Sequence, residues 1–298
     1  MTHSIFAGDA THEEPRVRKI GFADLADALR RGIDDFLAIP THAIFLCLIY
    51  PVAGLFLARL AFGYDLLPLL YPLAAGFALV GPFAAIGLYE LSRRREQGLD
   101  PSWSDAFEVV RSPSFGAIAA LGVLLLLIFF IWLAVAQAIY VATFGYQPAA
   151  SMPEFLRNVL TTPEGWMLIV AGNGIGFLFA LAVLTISVVS FPLLLDRDAG
   201  AADAMLTSMR VVRANPLAMA AWGLIVALVL ALGMLPFFLG LAVAIPVLGH
   251  STWHLYRKAV EPDPNPRSDY GPRPERQRYA ADFPAVLFPW AGDRRPDR

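Results

Sequence analysis

The chain has 298 residues, 57% of them hydrophobic and 16% charged, with a formal net charge of -2 and a mean hydropathy of +0.57. Soluble domains average about 25% charged residues, so this composition excludes an ordinary soluble domain and indicates an integral membrane protein. The charge balance excludes nucleic acid as a partner, and the single cysteine, Cys47, excludes an internal disulfide framework and a paired-cysteine metal knuckle.

Residues 1–19 are polar and mixed in charge, are expected to be disordered, and lack the apolar core of a cleavable signal peptide, so insertion is expected to use the first span. From Phe22 to Ile39, Phe22, Leu25, Leu29, Ile33 and Phe36 recur three or four apart, while Asp24, Asp27, Arg30, Arg31, Asp34 and Asp35 are expected to face away. Pro40 closes this amphipathic helix. Thr41–Phe62 and Leu66–Leu91 then form a first hairpin of two spans around Gly63-Tyr64-Asp65, with Pro82 deep enough in the second to kink it.

The polar stretch after it starts a short helix at Asp100-Pro101, carries the apolar stripe Trp103, Phe107 and Val110, and ends at Pro113. The middle hairpin is Phe115–Phe144 and Trp166–Leu195, joined by a loop of about 20 residues; both runs exceed the roughly 20 residues that a span requires.

Asp203–Arg213 is the next amphipathic segment, with Met205, Leu206, Met209 and Val212 on one side and Asp203, Thr207, Arg210 and Arg213 on the other. About forty uncharged residues, Leu217–Tyr256, follow Pro216. As one helix they would be roughly 60 Å long, twice a hydrocarbon core, so they must fold back at Gly233-Met234-Leu235-Pro236. Asp27-Ala28 and Asp203-Ala204 precede Pro40 and Pro216 by the same interval, and Asp105-Ala106 is a closer-set third copy, so the unit of surface helix, proline and hairpin repeats three times. The tail, 259–298, lacks a sustained apolar period and is expected to be disordered.

Of the 23 lysines and arginines, all but Arg59 and Arg157 fall before span 1, between spans 2 and 3, between spans 4 and 5, or after span 6. The positive-inside rule then puts both termini and the amphipathic segments in the cytoplasm. The expected fold is all-α and polytopic: a six-span membrane domain over 20–258, with hairpins 41–91, 115–195 and 217–256, each preceded by a cytoplasmic interfacial helix.

Gly81-Pro82-Phe83, Gly87-Leu88-Tyr89-Glu90-Leu91-Ser92-Arg93-Arg94, Phe191-Pro192-Leu193-Leu194-Leu195-Asp196 and Gly249-His250-Ser251-Thr252-Trp253-His254-Leu255-Tyr256-Arg257 resemble a family of predicted bacterial inner-membrane proteins catalogued as domain of unknown function 2189. The resemblance spans roughly residues 20–260. It implies a bacterial inner-membrane location and supplies no catalytic residues. Repeats of a surface helix plus a hairpin also resemble, more loosely, the membrane domain attached to some glycerophosphodiester phosphodiesterases, without their soluble catalytic domain.

Four groups of residues are candidates for chemistry. His250 and His254 lie four apart on one helical face, and His42 at a similar depth would complete a three-imidazole set for zinc, copper or haem iron; the alternative is an interfacial belt with Trp253 and Tyr256. Gln137 and Asn173 share a depth in the outer half of the bilayer, where an amide pair between helices is worth about 1 kcal/mol. Arg93, Arg94, Arg95, Arg257 and Lys258 are placed to meet anionic lipid headgroups, the alternative for the first two being ion pairs with Glu90. Asp198 is placed to cap the following surface helix.

No nucleophile with its base, phosphate loop or paired buried carboxylates marks a catalytic site, and no cofactor is called for. The expectation is a non-enzymatic protein that organises the lipid bilayer or other membrane proteins. Two alternatives are a transporter or channel for a small or lipid-like solute, and a metal- or haem-binding membrane enzyme.

Overall fold

The computed structural model describes residues 15–39, 67–146, 151–236 and 238–263, with the isolated positions Val52, Gly54 and Arg59. The chain divides into Met1–Pro266 and Arg267–Arg298, and the second unit lies outside the described residues. Among the described residues the fold is all-helical, and four helices are long and apolar enough to cross a membrane: Leu70–Glu96, Phe115–Phe144, Pro163–Asp196 and Pro216–Met234. The expected first span, Thr41–Phe62, lies outside the described residues except for the three isolated positions.

The amphipathic helix α1 is Phe22–Ala38. The first long helix has two parts, α2 (Leu70–Ala84) and α3 (Ile86–Glu96), joined at Ala85, one turn beyond Pro82. Proline removes one backbone donor and crowds the preceding turn, so the ladder gives way close to it. A 3-10 helix, Trp103–Arg111, leads to α4 (Phe115–Phe144). A short helix α5 (Met152–Thr161) then precedes α6 (Pro163–Ser187), and a turn at Val188-Val189, just before Pro192, separates α6 from α7 (Ser190–Asp196). The chain continues as α8 (Ala201–Ala214), α9 (Pro216–Met234) and α10 (Leu241–Ala259). The expected turn between the last two is present. Phe238 there has φ 64, and a Cβ on Gly240 would stand 2.8 Å from the Gly233 carbonyl oxygen, so only glycine permits the approach.

Lipid tails give apolar side chains no drive to associate, so spans pack where small residues admit large ones. Gly122 lies under the ring of Phe83, and Gly76 and Gly176 lie against Trp132; a Cβ on any of the three would stand 2.6 to 2.9 Å from a ring atom. The densest core is at the charged end of the bundle. Phe191, Leu193, Leu194 and Leu195 of α7 are wholly buried there, with Trp222, Trp253 and Tyr256 nearly so.

Each amphipathic segment docks on the charged end of a long helix through its repeat alanine. The α1 helix packs along α10, with Ala28 fully buried and Gly32 pressed on Ser251. The 3-10 helix packs on α3, where a Cβ on Gly87 would stand 3.0 Å from that of Ala106. The α8 helix packs on α6 and α7, with the Ala204 carbonyl accepting the Ser190 hydroxyl at 3.1 Å.

Several expectations need correction here. Asp35 and Thr207, assigned to outward faces, are buried, because the apolar stripe of each surface helix is split between a protein-facing half and an exposed half. The loop between α4 and α6 contains α5, started by Ser151 and ended at Thr162, each accepting a backbone N–H through its side-chain oxygen. The 3-10 helix is capped by Ser102 with Asp105, and the N-cap residue of α8 is Gly200, two residues beyond Asp198. The two stretches expected to be disordered meet at their inner ends, where Val17 and Val260 form an antiparallel bridge. Residues 1–14 and 264–298 lie outside the described residues.

Candidate functional site

At the charged end, Glu90 is completely buried on α3, and the two arginines one turn later close on it. Arg93 donates Nε and Nη2 to the Glu90 carboxylate at 2.8 and 3.0 Å, and Arg94 donates Nε to the same carboxylate at 2.6 Å. Arg94 continues to Asp105 at 3.0 Å and to Glu108, both on the 3-10 helix that covers α3. Arg93 and Arg94 are each only 2% exposed, which corrects their assignment to lipid headgroups. The cause is local: a carboxylate at i−3 and i−4, under a segment that brings two more, satisfies the guanidinium groups within the protein.

A second polar cluster lies where α1, α3 and α10 meet. Asp35 is central. It accepts Oγ–H of Ser92 at 2.6 Å and Nε2–H of His254 at 2.8 Å, and Arg95 Nε approaches its other oxygen at 3.2 Å. Burial pushes the Asp35 carboxyl up, but the hydrogen bonds from His254 and Ser92 and the nearby histidines outweigh this and leave it below the ordinary carboxylate value.

The proton assignment follows from counting donors. The Ser92 hydroxyl hydrogen is used on ionised Asp35, so the 2.8 Å contact between Ser92 Oγ and His250 Nδ1 makes Nδ1–H the donor. His250 Nε2 is then an unprotonated nitrogen, buried without a partner. The two imidazoles share a helix face, with His254 Nε2 engaged by Asp35 and His250 Nδ1 by Ser92. Among the described residues no group of three His, Cys, Asp or Glu is placed to hold a metal ion, and His42 lies outside them.

The rim is ionic as well. Arg257 reaches Glu96 at 3.0 Å and Asp196 at 3.3 Å, Tyr256 donates its hydroxyl to Asp196 at 2.6 Å, and Trp253 donates Nε1 to Glu96 at 2.8 Å. Lys258 pairs with Asp27 at 2.9 Å, and that bond, with a second from Arg30, holds the Asp27 carboxyl far below its usual value. Arg257 and Lys258 thus join α10 to its neighbours. Arg95 is the most exposed of the five cations assigned to headgroups, its side chain 37% exposed while bound to Asp35.

At the opposite end the amide pair is not formed. Asn173 accepts the Tyr71 hydroxyl at 2.6 Å and donates to the Ile169 carbonyl at 2.8 Å, so its cross-helix partner belongs to α2. Gln137 is on the exposed side of α4. Beside Asn173 is a partly open cavity of about 310 Å³ lined mainly by α2, α4, α5 and α6.

Sequence reasoning missed Asp35, Ser92 and Tyr71. The only available signal was an acidic residue on the border of an apolar stripe, beside an expected pair of histidines.

Long apolar helices, small-residue packing between them and a buried ionic layer at one end define a polytopic α-helical membrane protein. Residues 70–196 match the model of the family DUF2189, described as a predicted integral membrane protein, whose function is unknown. The match takes in the Gly81, Gly87–Arg94 and Phe191–Asp196 motifs and leaves Gly249–Arg257 outside it. No curated protein and no solved structure matches the chain.

Proposed function

We propose that this is a non-enzymatic bacterial inner-membrane protein of six spans in three hairpins, its charged end and both termini cytoplasmic, that organises lipid or partner proteins through its surface segments. One observation carries the reading: each segment buries one part of its apolar surface in the protein and leaves another part open. On α1, Phe22, Ile33 and Leu37 are exposed; on the 3-10 helix, Trp103, Phe107 and Val110; on α8, Leu206 and Met209. Apolar stripes of this kind, beside charged residues, are how a helix lies in a bilayer interface. The strong excess of lysine and arginine on that side supports the orientation.

The test uses single cysteines at Phe22, Phe107 and Leu206 in a Cys47→Ser background, labelled with a polarity-sensitive dye in liposomes. The expected result is a blue-shifted emission at all three, quenched by nitroxide lipid. Emission typical of water at these positions would remove the interfacial reading. An unchanged set of co-purifying lipids and proteins in a Phe22→Ser, Phe107→Ser, Leu206→Ser variant would remove the organising role.

A further inference from the structure

We propose that the cavity beside Asn173 binds one hydrocarbon chain of a membrane lipid, in the half of the bilayer opposite the charged end. The cavity occupies about 310 Å³, at the small end of ligand sites, which suits one chain better than a whole lipid. Its walls come from α2, α4 and α6, parts of three membrane-crossing candidates, and α5 lies over it with Phe155 and Val159 inward.

The chemistry of the lining selects the occupant. No charged side chain contributes to it. Most of the polar groups present are engaged: Trp132 donates Nε1 to the Pro72 carbonyl at 2.9 Å, Tyr71 donates its hydroxyl to Asn173, and Asn173 donates to the Ile169 carbonyl. Water in a cavity needs two to four polar partners, and a space lined this way instead stays dry or takes an apolar ligand. Between membrane helices, the apolar ligand at highest concentration is the lipid chain itself.

Two details suit a chain held more firmly than the surrounding lipid. The ring of Phe155 stands 6.3 Å from that of Tyr140 in an edge-on contact, so α5 is pinned over the cavity by an aromatic pair. Gly172 lines the cavity, and no heavy atom lies within 4 Å of where its Cβ would be, so this wall leaves open the volume that a chain requires. The site is independent of the surface segments, so failure of either proposal leaves the other standing.

The experiment is photocrosslinking of the full chain in nanodiscs, with one sample carrying a phosphatidylethanolamine with a diazirine in its acyl chain and another carrying diazirine palmitate. Sites are mapped by mass spectrometry. Labelling is expected at Ile139 and Leu168 in excess of labelling at Leu224 and Leu228, which are exposed on α9 and report the general lipid boundary. Gly172→Leu, which fills the space, is expected to lower cavity labelling roughly tenfold and leave the α9 sites unchanged. Labelling by the phospholipid or by the free acid identifies the source of the chain.

Cavity labelling no higher than that of α9, or unaffected by Gly172→Leu, would overturn the proposal. Should Gly172→Leu fail to yield folded protein, Ala136→Leu fills the same cavity from α4 and is held to the same outcomes.

Discussion

The seam between α1 and α10 is close enough for one methyl group to test it. A Cβ on Gly32 would stand 2.0 Å from Ser251 Oγ, 2.5 Å from its backbone nitrogen and 2.7 Å from its Cα. Rotation of the serine side chain relieves only the first. Carbon contacts are comfortable at about 3.5–4.0 Å, so Gly32→Ala must push the two helices apart by about 1 Å. Asp35 lies one turn further along α1, and its 2.8 Å bond to His254 would stretch with the separation. Overpacking costs about 1–3 kcal/mol, and the strained network places this variant at the upper end; the intrinsic gain of alanine over glycine in a helix returns about 1 kcal/mol. The net expectation is a loss of about 2 kcal/mol, read as a melting temperature several degrees lower in detergent-solubilised protein. Gly174→Ala is the control, because nothing lies within 4 Å of its Cβ position, and it should melt at or slightly above the wild type. Equal melting of Gly32→Ala and Gly174→Ala would refute the seam.

Glu90→Gln leaves Arg93 and Arg94 buried with less than their charge balanced, and removing one partner of a buried ion pair costs about 3–5 kcal/mol; melting like the wild type would contradict the cluster. Because the folded Asp35 carboxyl lies below its unfolded value near 4, its stabilisation is complete above that value and lost as pH falls through the folded one. The stability difference between wild type and Asp35→Asn should therefore shrink on acidification below about pH 4, and a difference that grows would reverse the assignment. Asn173→Leu and Tyr71→Phe should each cost about 1 kcal/mol or less and be strongly coupled, whereas Gln137→Leu should be neutral; coupling between Gln137 and Asn173 in a double-mutant cycle would restore the pair expected from depth alone.

The long helices were legible because apolar runs bounded by proline and charge are set by the bilayer and need no knowledge of neighbours. The Asp-Ala repeat was legible too, and it marks the alanines where each surface segment docks. What periodicity lacks is the boundary inside an apolar stripe between side chains that meet protein and side chains that stay exposed. Phe22 and Leu25 read alike, yet one is 65% and the other 2% exposed. Asp35 was misplaced for the same reason, since its burial depends on two histidines more than two hundred residues away. The α5 helix is a different kind of miss: Ser151-Met152-Pro153-Glu154 is a serine followed three residues later by glutamate, with proline in the first turn, which marks a helix start without any tertiary information.

The three docking seams differ in how far apart in the chain their partners are, and that difference explains where the polar cluster of Asp35 lies. The 3-10 helix and α8 dock on helices that immediately precede them, so their contacts form locally. The first copy has no preceding helix within the described residues, and α1 takes the equivalent place on α10, with Asp35 and His254 separated by 219 positions. Closing so long a loop costs entropy that grows with the logarithm of its length, before any contact repays it. A purely apolar seam would also tolerate sliding by a turn, because leucine and phenylalanine fit many registers. The close approach of Gly32 to Ser251 and the convergence of Ser92, His250 and His254 on Asp35 each admit one register only. Outside them, Arg18 N–H donates to Ala259 at 2.8 Å and Glu261 N–H to Arg16 at 2.9 Å, a backbone clasp that holds the first and last copies together. The buried ionisable residues at this seam thus fix the register in which α1 closes on α10.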